Sequence, residues 1–275
     1  MNFSKQQVLV AGLIVLLGAL VYVAATQFES EPVDFIASSG SRGKCNVGVI
    51  SINGQLATYD SPESIDSLRI AQSVRALEKD VGKKAAVLLI NSSGGSGPAA
   101  EEIGDAVQDL GMPSVAFIRE YALSGGYWVA ASTDYIVALT TSLVGNIGVT
   151  GSYLEETAHN EKEGYVYREF TSGEYKEAGN VNARISPKQR EFLQGNVNDL
   201  FAIFKDVVKK YRGMTEQQIE DISDGKYYVA EKALALGLVD EIGGIEEVKA
   251  YLATRLSVSP EDLLFCEPEE ISIIE

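Results

Sequence analysis

The chain has 275 residues, with 39 acidic against 23 basic side chains, a formal net charge of −16 and one histidine. That excess of acid excludes a nucleic-acid binder, which needs a basic surface to meet phosphates. Two cysteines, with no Cys-x-x-Cys pair and no Cys/His cluster, argue against a structural zinc site, and nothing in the chain asks for a metal or other cofactor.

Residues 8–25 are an uncharged apolar run of 18, preceded by MNFSKQQ and followed by acidic residues, with no basic side chain until Arg42. The length suits a single membrane span with residues 1–7 in the cytoplasm and the rest facing outward. A cleaved signal peptide is the alternative reading. Residues 26–43, rich in Ser, Gly and acid, read as a linker. The domain over 44–257 is long enough to bury one large α/β core.

Residues 46–52 (NVGVISI) predict a first strand, and 63–80 a helix with Ile65, Leu68, Ala71, Val74 and Leu77 at helical spacing. The continuous apolar run 85–90 (AAVLLI) predicts a strand covered on both faces. A glycine-rich turn, NSSGGSG at 91–97, leads into a helix over 98–110 closed by Gly111 and Pro113. Residues 114–118 predict a third strand, and ALSGGYWVAAS a turn entering a short helix. Residues 135–139 predict a fourth strand, and 142–149 a glycine-punctuated strand or loop. This alternation implies a mostly parallel sheet with right-handed crossovers.

Further on, 165–170 (YVYREF) predicts a strand. A long helix over 187–211, capped by Ser186 with Pro187 first, should bury Phe192, Leu200, Phe201, Phe204, Val207 and Val208. Shorter helices follow over 214–223, with Thr215 and Gln218 at capping-box spacing, then over 229–236 and 244–256. The tail 258–275 is acidic and reads as solvated. Cys45 and Cys266 could pair or stay free.

Both glycine-rich turns fall between a strand and a helix, and therefore at the carboxyl ends of parallel strands, where ligands bind. Ser124 (YALSGGYW) would open a helix with its hydroxyl exposed. Taken alone it would be a helix cap. Lys176 (TSGEYKEAG) alone would be a surface lysine. Together they supply a nucleophile and, if burial lowers the amine's pKa, a base that needs no histidine. Gly94 and Gly95 could bring backbone N–H groups to an oxyanion. His159, in a run of charge, reads as solvated, and Tyr127 and Trp128 as packing behind Ser124.

Four segments in this order resemble the signal peptide peptidase A family of Ser–Lys serine proteases, peptidase family S49, in a short single-repeat form. They are INSSGGS (90–96), LSGGY (123–127), SGEYKE (172–177) and LGLVDEIGG (236–244). The resemblance runs from about Cys45 to Tyr251. It implies the fold of the Clp protease and crotonase superfamily, repeated β-β-α units in a superhelix. It implies Ser124 as nucleophile, Lys176 as general base and the Gly94 and Gly95 amides as oxyanion donors. The family's lysine-orienting serine corresponds to Asn146, and its usual proline in the oxyanion turn to Ser93. A homo-oligomer is implied, acting on remnant signal peptides or other unfolded apolar peptides. A non-cutting scaffold of the same fold is the rival reading. A crotonase-like enzyme acting on a CoA thioester would leave the serine and lysine segments without a task.

Overall fold

A computed structural model describes residues 45–267, so the expected span at 8–25 and the linker lie outside the described residues. No helix among the described residues is long and apolar enough to cross a membrane. One sheet dominates. Its main path runs β10 (Phe265–Cys266), β1 (Val47–Asn53), β4 (Ala85–Ser92), β5 (Ser114–Leu123), β6 (Tyr135–Ala138) and β9 (Glu241–Ile242), parallel throughout. Strand β5 is long enough to pair twice. Its first half runs beside β6, and its last three residues beside β7 (Leu143–Gly145). The antiparallel exception is β8 (Tyr227–Val229) on β7. A separate two-stranded ladder joins β2 (Gln55–Ala57) to β3 (Ser64–Asp66).

Alternate residues of the central strands go to opposite faces, as a strand's period of two requires. Ile50, Ile52, Leu88, Ile90, Ala116 and Ile118 pack under α1 (Ser67–Lys79), α2 (Gly97–Gln108) and α3 (Gly125–Ala131). Val47, Val49, Val87, Leu89, Val115 and Phe117 meet Val248 and Leu252 of α8 (Ile245–Leu256) on the other face. Between these lie α4 (Thr157–Lys162), α5 (Pro187–Tyr211), α6 (Glu216–Ile222) and α7 (Ala230–Ala235). Both expected caps form: Ser186 with Gln189 opens α5, and Thr215 with Gln218 opens α6. The LGLVDEIGG stretch is tied into the core. Asp240 receives a two-pronged ion pair from Arg212 at 2.9 and 2.7 Å and also accepts the Ile136 N–H.

Four expectations need correction. The helix expected from residue 63 starts at Ser67, because 64–66 pair with β2 and Asp66 caps the helix by accepting the Leu68 N–H. Residues 165–170 form no strand, and Tyr165, Val166 and Phe170 are exposed, with no strand beside them to take their backbone. Of the side expected to be buried on α5, only Phe204 and Val208 are. Phe192 and Leu200 stay exposed, because only the C-terminal half of that helix crosses the core. The acidic tail is not solvated from residue 258: Leu263, Phe265 and Cys266 are buried, and β10 closes the sheet edge.

Cys45 and Cys266 form a disulfide with Cα atoms 6.0 Å apart, spanning 221 residues. Closing so long a loop restricts the unfolded chain, and losing a native disulfide typically costs about 2–5 kcal/mol. Cys266→Ser is therefore expected to lower the thermal midpoint by roughly 5–15 °C. Wild type in excess reductant should fall by the same amount, and an unchanged midpoint in both would show that the bond does not form.

Candidate active site

Strands β4, β5 and β7 are neighbours and parallel, so the turns after them converge at one edge of the sheet. Those turns carry Gly94–Gly95, Ser124 and Asn146. The parallel topology therefore gathers three segments that lie far apart in the chain.

Ser124 sits between β5 and α3 with φ 51° and ψ −123°, a conformation that costs a side-chain-bearing residue about 1–3 kcal/mol. Its backbone is held on both sides. The N–H donates to Gly145 O at 2.9 Å, and the carbonyl accepts from the Tyr127 and Trp128 amides. The side chain makes no capping bond. The side-chain capping that Ser124 taken alone would suggest does not form. Helix α3 is buried along its whole length. Tyr127, fully buried, donates its hydroxyl to Leu238 O at 2.9 Å, and burial first of all pushes that phenol far above its ordinary pKa, which keeps the donor protonated.

The oxyanion turn is pressed onto this helix start. A Cβ on Gly94 would stand 2.7 Å from Ser124 Cβ and 2.8 Å from Gly125 N. Gly94 has φ 99° and Gly95 φ 148°, conformations in which a side chain is strained. The Gly94 N–H, expected with that of Gly95 to serve an oxyanion, instead donates to Ser92 Oγ at 3.2 Å. Gly95 is bridged to Leu56 of β2, whose N–H donates to Gly94 O and whose carbonyl accepts from Ser96 N. In such a parallel bridge the Gly95 amide itself points away from β2. A Cβ on Gly125 would lie 3.4 Å from that Gly95 nitrogen, which therefore sits beside the start of α3. Gly125, as the first residue of α3, has no intrahelical acceptor for its own N–H. Ser93 is exposed.

Asn146 also has a left-handed backbone, φ 56°. Its N–H donates to Lys226 O at 2.7 Å and its Nδ2 to Gly225 O at 2.6 Å. The amide is therefore oriented, and its Oδ1 has no partner among the described residues.

Ser124, Gly95, Gly125 and Asn146 line one cavity of about 380 Å³. Trp128, Leu200, Ile203 and Phe204 supply apolar wall, with Trp128 and Phe204 stacked at 5.3 Å between ring centroids. A second cavity, between 149–153 and α5, shares Val149, Thr150 and Leu200 with the first. Sequence reading took Phe204 and Leu200 for core and missed Gly225, Val149 and Thr150. No local pattern marks those three as site residues.

Lys176 does not line the cavity. It is exposed, in a turn whose neighbour Tyr175 packs on Phe192 near the start of α5. The cavity meets α5 at Leu200 to Phe204. Phe192 and Phe204 are 12 residues apart, which is about 18 Å along a helix.

The sequence model of peptidase family S49 matches residues 106–259. The chain belongs to peptidase family S49. This is the family that signal peptide peptidase A resemblance had implied. A putative protease of Methanocaldococcus jannaschii is 33% identical over 190 residues, covering 68% of this chain and 61% of that protein. A chloroplastic serine protease SPPA of Arabidopsis thaliana is 24% identical over 78% of this chain and 33% of its own length. A putative signal peptide peptidase SppA of Enterococcus faecium is 28% identical over 82% of this chain and 67% of its own. The chain thus spans less than two thirds of the first two relatives.

Proposed function

We propose that this S49 chain is a serine endopeptidase that hydrolyses unfolded apolar peptides, remnant signal peptides among them, by acyl transfer through Ser124. The observation that carries this reading is the strained Ser124 turn, which leaves the hydroxyl free of capping and lies pressed against a glycine turn on the wall of an apolar cavity. Ser124 Oγ attacks the peptide carbonyl carbon, and the Gly95 and Gly125 amides receive the developing oxyanion. Neutral Lys176 Nζ takes the serine proton and returns it to the leaving amine. Water then releases the acyl group. Asn146 Oδ1, with its Nδ2 fixed, is available to accept an N–H of the lysine.

The base enters from a second copy of the chain in this reading. Lys176 is exposed and set about two or three helical turns along α5 from the cavity. Beside Lys176, Tyr175 and Phe192 pack on each other and leave apolar surface exposed. A homo-oligomer that covers this surface would also carry Lys176 into a neighbour's cavity and strip water from its amine. That desolvation is what a lysine base needs, since the free amine titrates near 10.4. The disulfide supports an oxidising, extracytoplasmic setting. That setting fits an anchor at 8–25. The Clp- and crotonase-like superhelix is the finer fold reading that goes with this chemistry.

The exposed Lys176 also motivates the rival, a scaffold that binds peptides without cutting them. An apolar peptidyl phosphonate distinguishes the two. It is expected to add its mass to the tryptic peptide containing Ser124 in the full-length protein, and to leave Ser124→Ala unlabelled. No labelling of the assembled wild type would overturn the peptidase reading.

A further inference from the structure

Among the described residues lining the Ser124 cavity, one carries a charge: Glu101. It stands on α2 four residues after Gly97, on the same face of the helix as Gly97, which also lines the cavity. Glu101 is exposed and has no ion pair or hydrogen-bond partner among the described residues. Around it the walls are Pro98, Trp128, Leu200, Ile203 and Phe204. Within a single copy of the chain, an apolar lining with one free carboxylate has a definite complement. Lysine and arginine have apolar stems and cationic heads, so the stem can lie along the wall while the head stays at the rim.

We propose that Glu101 makes this site selective for peptides with a lysine or arginine side chain beside the scissile bond. The inference deepens, and rests on, the peptidase reading of Ser124. A purely apolar side chain fills the same wall but leaves the carboxylate unpaired. An acidic side chain is repelled by it. The whole chain, at −16, attracts cationic peptides in any case. That long-range field acts on a peptide's total charge and cannot distinguish one residue position from another. Glu101 can, and the test exploits the difference.

Three peptides are compared that differ only at the residue before the cleaved bond: lysine, norleucine or glutamate. A compensating charge far from that bond keeps their net charge equal. For the full-length protein, kcat/KM is expected to favour lysine over norleucine about tenfold, as a charge-assisted contact allows, with glutamate last. Glu101→Gln should bring the lysine-to-norleucine ratio close to one, and Glu101→Lys should place glutamate above lysine. The wild-type preference should weaken as salt rises through the range where the Debye length shrinks from about 10 Å to 3 Å. The same three peptides, fluorescently labelled, are also bound to Ser124→Ala and to Ser124→Ala with Glu101→Gln. Lysine-to-norleucine ratios unchanged within about twofold in both Glu101 variants would overturn the inference. If no peptide is cut by wild type but the binding ratio collapses with Glu101→Gln, the selectivity stands and the peptidase reading fails instead.

Discussion

Full-length Ser124→Ala and Lys176→Ala proteins are each expected to lose about 10⁴-fold or more in peptide hydrolysis, because the proposed nucleophile and base would act as a unit. Co-expressed in equal amounts, the two inactive chains are expected to recover roughly a quarter of wild-type activity. The recovery follows from the arrangement of the site. Ser124 lines a cavity that meets α5 at Leu200 to Phe204, whereas the segment carrying Lys176 lies against the other end of that helix. When the serine of one copy works with the lysine of its neighbour, random mixing pairs an intact serine with an intact lysine in about one junction of four. Steady-state hydrolysis of a fluorogenic peptide measures this, with native mass spectrometry confirming mixed assemblies. Mixed assemblies as silent as either parent would sink the shared dyad. Full activity in either single variant would remove that residue from the mechanism.

Gly94→Ala is expected to cost at least about 100-fold in activity, on the scale of losing one oxyanion donor, and about 1–3 kcal/mol in stability. The added methyl would come within 2.7–2.8 Å of Ser124 Cβ, Gly125 N and Leu123 O. Two of these are backbone atoms that cannot rotate away. They also belong to the turn that holds the nucleophile, so relief of the clash displaces Ser124 itself. The φ of 99° adds strain that no rearrangement of neighbours removes. Gly195, half-buried within α5, is the internal comparison, since a methyl there meets nothing within 4 Å. Gly195→Ala should stabilise by up to about 1 kcal/mol through helix propensity alone. Chemical denaturation and phosphonate labelling rate read both variants. A Gly94→Ala protein that labels at the wild-type rate would show that the turn does not support the serine.

Apart from the short β2–β3 ladder, the strand and helix order up to residue 149 was legible because each element there is buried and strongly patterned. AAVLLI reads as a strand covered on both faces, and it forms part of β4. Caps were legible too, because Ser186 with Gln189 and Thr215 with Gln218 act over one turn of chain. Misreadings cluster where a segment's partner is missing. YVYREF has a strand's aromatic and β-branched residues, but no neighbouring strand lies beside it. Phe192 and Leu200 repeat at helical spacing, and that spacing does not specify what covers them. In the tail, the acidic count hid Leu263, Phe265 and Cys266, which bury against the first strand's edge.

The sequence by itself determined the chemistry on offer: a serine followed by two glycines, a lysine where histidine is nearly absent, and two glycine turns after buried strands. These are local facts, fixed by residue type and spacing. Only the tertiary structure decided their geometry. Parallel pairing of β4, β5 and β7 brings Gly95, Ser124 and Asn146 to one rim, pairs Cys45 with Cys266, sets Glu101 on the same cavity and leaves Lys176 outside it. Each of these depends on contacts between residues distant in the chain, and such contacts follow from which faces bury together, not from any local pattern.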